Sequence, residues 1–383
     1  MNSKVFETLD PRGEGTGVEA ESPSEDLGMI ADPFNPEDID VVTRMMTVDL
    51  LLSRARSGMV DLQPEFQRRW GIWDQRRQSR LIESMLLRIP LPNLYAAEDE
   101  NERWEIVDGI QRLSTVARFI EPDIVSEDGF ALTDLEYLHE IEGKKFFELA
   151  PKLKLRLRET ELVIHLIRRG TPPDVKFNIF ARINTGGMVL SSQELRHAIT
   201  PGPARAVLEI WSRLPEFVLA TDHSVRSIRM DDRELVLRYL AFRLSGPEAY
   251  KTSDMDGFLI GAMKAINALP QKKLESLKTE FQQTMLAARE IFGNDAFRKR
   301  YELGADRLPI NKAVFEAVSV NLASLRIEQR RVLVERKEDL VKAFVELCQN
   351  RDFDSSVSQG TGDPVKVQRR FAMVRDLFNK DLT

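Results

Sequence analysis

Three side chains able to do polar chemistry, Asp108, Gln111 and Arg112, fall within five residues of one another, with Gly109 and Ile110 between them. An arginine presents a planar fork of donors that suits phosphate or carboxylate oxygens. A glutamine amide can position a water or read the edge of a base or a phosphate. An aspartate can accept a proton from a nucleophile, or hold Mg2+ through water. A second amide and guanidinium pair, Gln67 and Arg68, stands in the run Pro64-Glu65-Phe66-Gln67-Arg68-Arg69-Trp70. A simpler reading of the first cluster stays open, in which Asp108 caps a helix and Arg112 pairs with a surface acid.

The elements around these residues follow from periodicity. Residues 104–107 alternate as a half-buried strand does, and Asp108-Gly109 is a turn signal. Leu113, Val116, Ala117 and Ile120 recur at helical spacing, which predicts a helix over 110–120. Gln111 and Arg112 then lie in its first turn, where main-chain N–H groups lack partners and the helix dipole favours an anion. Upstream, Thr47 caps a helix carrying Leu50, Leu51 and Leu52, and Gly58 ends it. Val60 to Phe66 reads as a short extended stretch. Asp74 opens a helix through Arg88 with Leu81, Ile82, Met85 and Leu86 on one face, stopped by Pro90-Leu91-Pro92. Asn93 to Ala97 is the strand that pairs with 104–107 across an acidic turn.

Glu161 to Ile167 reads as a further strand, in which His165 is expected to be structural. Pro173 to Ile183 suits a helix, Asn184-Thr185-Gly186-Gly187 a loop, and Ser191 with Glu194 a capping box. From residue 201 onward only helical periodicity remains, over 230–244, 255–268, 271–291, 310–325, 329–349 and 364–379. The stripe Leu333, Leu340, Phe344 and Leu347 reads as bundle core.

Charge is uneven along the chain. The net charge of −6 over 383 residues conceals a local charge of −9 in residues 1–40, which leaves +3 on the remainder. Residues 1–40 read as a disordered acidic tail. Between 54 and 80, seven arginines face three acids. Arg69, Arg76, Arg77 and Arg80, with Trp70 and Trp73 nearby, are candidate DNA-backbone contacts. A solvated basic helix face is the competing account. Composition is that of a globular protein, and no apolar run reaches membrane-span length. No secretory signal is visible, and the lone Cys348 fits a reducing, cytoplasmic location while excluding an internal disulfide or a cysteine-built zinc site.

Several enzyme signatures are missing. The four histidines, His139, His165, His197 and His223, form no HExxH set, so no metal site is expected from them. There is no P-loop and no GxGxxG. Pro122-Asp123 with Glu142-Gly143-Lys144 mimics a nuclease triad, but the surrounding residues read as helix and loop rather than as the adjacent strands such a triad needs.

Taken together, five ordered blocks closely resemble the N-terminal domain of GmrSD-type, type IV modification-dependent restriction enzymes. These are Pro64–Arg68 followed by Trp73, Leu81–Pro92, Val107–Leu113, Phe180–Gly187 and Ser191–Arg196. Arg229–Glu234 also looks familial, so the resemblance covers about residues 45–245. The strand and helix signals give an α+β chain, mixed α/β over 41–200 and all-α helical over 201–383, and the resemblance implies a ParB/sulfiredoxin-like fold for the mixed domain. The resemblance further implies a nucleotide-binding domain, often nucleotide-hydrolysing and commonly using GTP, that serves bacterial defence against phage DNA; Mg2+ is the cofactor that Asp108 could hold beside it. Carried over by position, Asp108, Gln111 and Arg112 are the expected catalytic residues. Gly109, Gln67, Arg68, Glu83 and Asn184 are the expected nucleotide contacts.

Two departures stand out. The family pattern is usually Asp-Gly-Gln-Gln-Arg, and here Ile110 replaces the first Gln. Many relatives also carry an HNH-type nuclease with paired histidines, which this sequence lacks. The expected partners are therefore DNA and a separate nuclease subunit, with oligomerisation left open. Two accounts of the activity stand side by side: a nucleoside triphosphatase component, and a non-catalytic DNA-binding or regulatory subunit. A self-sufficient nickase is a third.

Overall fold

The computed structural model of the chain describes residues 6–10, 13–21, 39–62, 73–183 and 190–380. The chain divides into two compact units, Phe34–Leu190 and a helical unit that joins Met1–Pro33 to Ser191–Thr383. The sequence placed the corresponding border at 200. It falls ten residues earlier because the 192–199 helix buries its polar side chains among those of the helical unit.

In chain order the first strands are β1 (Glu7–Leu9) and β2 (Gly15–Glu19), an antiparallel pair. They correct the expectation of a disordered tail for the described residues 7–19. The segment is polar, yet Val18 is wholly buried in the core of the helical unit. Its main chain is tied down as well: Glu19 N donates to Ile310 O at 2.7 Å, Ile310 N to Gly17 O at 2.9 Å, and Arg226 N to Thr16 O at 2.9 Å.

The mixed unit follows. Its elements are β3 (Val41–Thr47), α1 (Val48–Arg56), β4 (Val60–Asp61), α2 (Gln75–Leu86), β5 (Leu94–Glu98), β6 (Trp104–Asp108), α3 (Ile110–Ile120), α4 (Pro151–Glu159), β7 (Glu161–Ile167) and α5 (Pro173–Ile183). One five-stranded sheet runs in the order β3-β7-β5-β6-β4. β3 and β7 are antiparallel, as are β5 and β6, while β5–β7 and β4–β6 are parallel. Thr47 and Asp74 cap α1 and α2 as their side chains predict.

Alternation sorts the sheet into two faces. Leu94, Ala96, Ile106, Leu162, Ile164 and Leu166 point into a core shared with Leu51, Leu81, Ile82, Leu113, Val116 and Leu157 of the helices. Thr43, His165 and Tyr95 stand on the other side, half-buried or exposed, and a register irregularity between Tyr95 and Ala96 sets Asp108 opposite Tyr95. β3 was not foreseen, because Arg44 and Met45 are exposed and its sequence shows no apolar alternation.

The helical unit comprises α6 (Ser192–Ile199), α7 (Pro203–Ser212), α8 (Pro215–Ala220), α9 (Asp231–Ser245), α10 (Met255–Asn267), α11 (Gln271–Phe292), α12 (Lys312–Ser324), α13 (Ile327–Glu335), α14 (Lys337–Gln349), α15 (Arg351–Ser358) and α16 (Pro364–Lys380). The stretch 329–349, read as one helix, breaks at Arg336, and Leu333, Leu340 and Phe344 all still reach the core. α9 is buried on every side from Asp231 to Phe242, so it also buries charge. Buried charge needs partners. Arg238 bonds Glu234 at 2.9 Å, Glu316 at 3.3 Å and Glu21 at 2.6 Å. Arg370 bonds Glu316 through both Nε and Nη2, and Lys312 sits 3.1 Å from Asp231 and 3.2 Å from Glu234.

Candidate functional site

The strand–turn–helix junction at residues 104–120 forms as its sequence predicts. β6 ends at Asp108, and Gly109 takes φ +90, a left-handed conformation that L side chains rarely adopt. A Cβ there would overlap the Leu94 Cδ2 methyl and lie 2.9 Å from Arg112 Nη2. Gly109→Ala is therefore expected to cost about 1–3 kcal/mol, through strain and displacement of Leu94. A urea melt checks this, and an unchanged midpoint would contradict it.

Arg112 is more committed than a free phosphate ligand would be. Its Nη2 donates to Asp108 Oδ2 at 3.0 Å and to Asn93 O at 3.2 Å, and its Nη1 donates to Pro92 O. Burial draws its pKa below the usual arginine value, opposed by the Asp108 carboxylate. The group stays charged, since arginine does not deprotonate in proteins. Arg112 thus braces the Pro92-Asn93 approach to β5 against the start of α3. The surface-acid alternative is half right: the acid is Asp108 itself, one helical turn away.

What remains open to a ligand is Gln111, the second carboxylate oxygen of Asp108, and the start of α3. The first helical hydrogen bond runs from Leu113 N to Gly109 O at 3.0 Å, so the preceding N–H groups are those a helix leaves for an outside acceptor. Gln111 is half-buried, and no described residue hydrogen-bonds its amide. Ile110 points the opposite way, into the core beside Leu94 and Ile106. Its apolar side chain is accounted for by that burial.

Four residues form a row across four neighbouring strands: Thr43 pairs with His165, His165 with Tyr95, and Tyr95 with Asp108. The His165 and Tyr95 rings lie 4.9 Å apart at 30°. The Asn93 amide nitrogen lies 2.9 Å from His165 Nε2, and Thr43 Oγ1 lies 3.0 Å from Nδ1. An amide nitrogen only donates, so Nε2 accepts and Nδ1 carries the proton toward Thr43. The sequence marked His165 as structural, and nothing in the spacing of this row was visible before the strand register.

The other expected residues disperse. Gln67, Arg68, Arg69 and Asn184 lie outside the described residues. Glu83 is turned inward, its carboxylate accepting from the main-chain N–H groups of Glu136, Tyr137 and Leu138 at 3.0, 2.7 and 2.9 Å. Those three bonds oppose the upward pull of burial and hold its pKa below the usual carboxylate value. Glu83 therefore anchors a loop, which corrects its reading as a nucleotide contact: its carboxylate is spent on main-chain donors.

Of the basic face, Arg76 is exposed and Arg77 lies over the Trp73 ring at 4.5 Å, but Arg80 is paired with Glu136 at 2.6 Å. Asp123 lies in a 3-10 turn, and Glu142-Gly143-Lys144 is not on a strand, so the nuclease-like triad does not assemble. The motifs at 191–196 and 229–234 do meet. Ser191 Oγ donates to Arg229 O at 2.9 Å, Glu194 lies 3.7 Å from Arg229, and Arg196 lies 3.0 Å from Glu234. Burial pushes the Glu194 carboxyl up to about 8 against the pull of Arg229.

Residues 48–200 match the family model described as GmrSD restriction endonuclease, N-terminal domain. No curated protein and no solved structure matches the chain.

Proposed function

Because residues 48–200 belong to the GmrSD N-terminal domain family, we propose that this chain is the nucleotide-binding component of a restriction-type defence system. The observation that carries the proposal is the junction at residues 108–112. It lies within the matched stretch and presents an uncommitted glutamine at the first turn of a helix. In this reading, the α3 N–H groups and Gln111 hold phosphate oxygens, and Arg112 positions rather than ligates. Its bonds to Pro92, Asn93 and Asp108 fix the geometry of the junction. Asp108, with one oxygen spent on Arg112, has the other for a phosphate-bound Mg2+, which would neutralise phosphate charge.

The reading assigns DNA as what the system acts on, and cleavage to a separate nuclease subunit. No described helix is long and apolar enough to cross a membrane.

The test is binding of GTP and release of phosphate by wild type, Gln111→Ala and Asp108→Ala. Gln111→Ala is expected to weaken GTP binding about tenfold, in keeping with the loss of a hydrogen bond to a charged group. Wild-type binding in both variants would overturn the site.

A second reading is a regulatory subunit that binds without turnover: Ile110, 3% exposed and in the core, adds no polar group to the turn for a chemical step. Tight GTP binding with no phosphate release would support that reading over a triphosphatase.

A further inference from the structure

The row Thr43–His165–Tyr95–Asp108 puts two half-exposed rings beside the phosphate site proposed above. Strands in a sheet lie ~4.8 Å apart. Tyr95 is thus one strand from Asp108, and His165 one strand further. Asn93 joins the two halves: its carbonyl accepts from Arg112, while its amide donates to His165 Nε2. Both nitrogens of the imidazole are engaged, so the ring is fixed in orientation, with one face turned toward the Tyr95 ring. No described residue hydrogen-bonds the Tyr95 hydroxyl. A cross-strand pair held only for sheet stability does not require this bridge to the neighbouring turn.

We infer that the Tyr95–His165 pair is the stacking surface for the base of the nucleotide whose phosphates meet Gln111 and the start of α3. The inference rests on the nucleotide-binding reading of that turn. Flat rings stack on any base, because every base offers a π face. The site should therefore hold a nucleoside triphosphate more tightly than bare triphosphate, while separating guanine from adenine only weakly.

Calorimetric titration of the full chain with GTP, ATP and inorganic triphosphate tests this. Tyr95→Ala is expected to weaken GTP and ATP about tenfold or more, the usual effect of losing one stacked aromatic, and to leave triphosphate binding unchanged. Retained triphosphate binding also reports that the variant is folded. Tyr95→Phe should restore GTP affinity, and His165→Ala should repeat the loss if Tyr95→Ala does not fold.

Wild-type protein that binds GTP no tighter than triphosphate would overturn the stacking surface, as would Tyr95→Ala with undiminished GTP affinity; both leave the phosphate site standing. Wild type that binds neither GTP nor triphosphate overturns both inferences together. Binding of a single-stranded oligonucleotide but no mononucleotide, lost in Tyr95→Ala, would assign the rings to a DNA strand instead.

Discussion

Removal of residues 1–21 is expected to abolish cooperative folding of the helical unit. The loss has four parts. Val18 leaves the core, at about 1.5–3 kcal/mol for a fully buried aliphatic side chain. Lys299, itself buried, loses Glu19 at 2.6 Å and keeps only the Ser358 hydroxyl at 3.0 Å. Arg238 loses Glu21, and Asn311 Nδ2 loses its 3.0 Å bond to Glu19 Oε2. Stranding one buried cation typically costs about 3–5 kcal/mol, against a total domain stability of about 5–15 kcal/mol. The point substitution Glu19→Ala removes the Lys299 and Asn311 partner alone and should by itself cost about 3–5 kcal/mol. A truncated chain that melts at the wild-type temperature would refute this account and restore the segment to the solvated leader its composition suggests.

Glu316→Ala is the second large effect. Glu316 is fully buried between Arg238 and Arg370, and it accepts from both guanidinium groups. Its removal leaves two buried arginines short of a counter-ion. Arg238 keeps Glu234 and Glu21, whereas Arg370 keeps only the carbonyls of Ser356 and Thr361. The expected loss is about 3–5 kcal/mol in urea unfolding. Removing the stranded charge as well, in Glu316→Leu with Arg370→Met, should recover much of it, since buried ion pairs are often replaceable by apolar side chains of similar size. A double variant no more stable than Glu316→Ala would mean that the cost lies in packing rather than in uncompensated charge.

The sequence makes some of this architecture readable and hides the rest for physical reasons. α3 and β6 are legible because one surface of each is buried against one core, so periodicity reports burial directly. Gly109 is legible because a left-handed turn needs glycine. The hairpin at 7–19 is hidden because its stability is not local. Its acids, with Glu21 just after it, read as solvated, and partners such as Lys299, Arg238 and Asn311, all more than two hundred residues away, make Glu19 and Glu21 interior groups.

Arg112 shows a different limit. Its type and spacing suit a phosphate, yet the carbonyls of Pro92 and Asn93 claim it. Pro90-Leu91-Pro92 announces the end of α2, but not that the chain then delivers acceptors to the next turn. Ile110 reads as a defect in a polar motif, and the fold accounts for it as core. The stacked rings of Tyr95 and His165 depend on strand register, which no single segment encodes.

The hairpin also sets an order of events during synthesis. β2 leaves the ribosome long before Lys299 and Ile310, the residues that hold it. The whole mixed unit is made in the interval, and it can close its own sheet without waiting, because β3 to β7 lie within residues 41–167. The helical unit must instead finish by recruiting its first residues last. This high sequence separation slows the final step, and until then Lys299 and Arg238 stand without Glu19 and Glu21. The acidic character of the segment suits that wait: a charged strand stays dissolved and unpaired until its cations have been made.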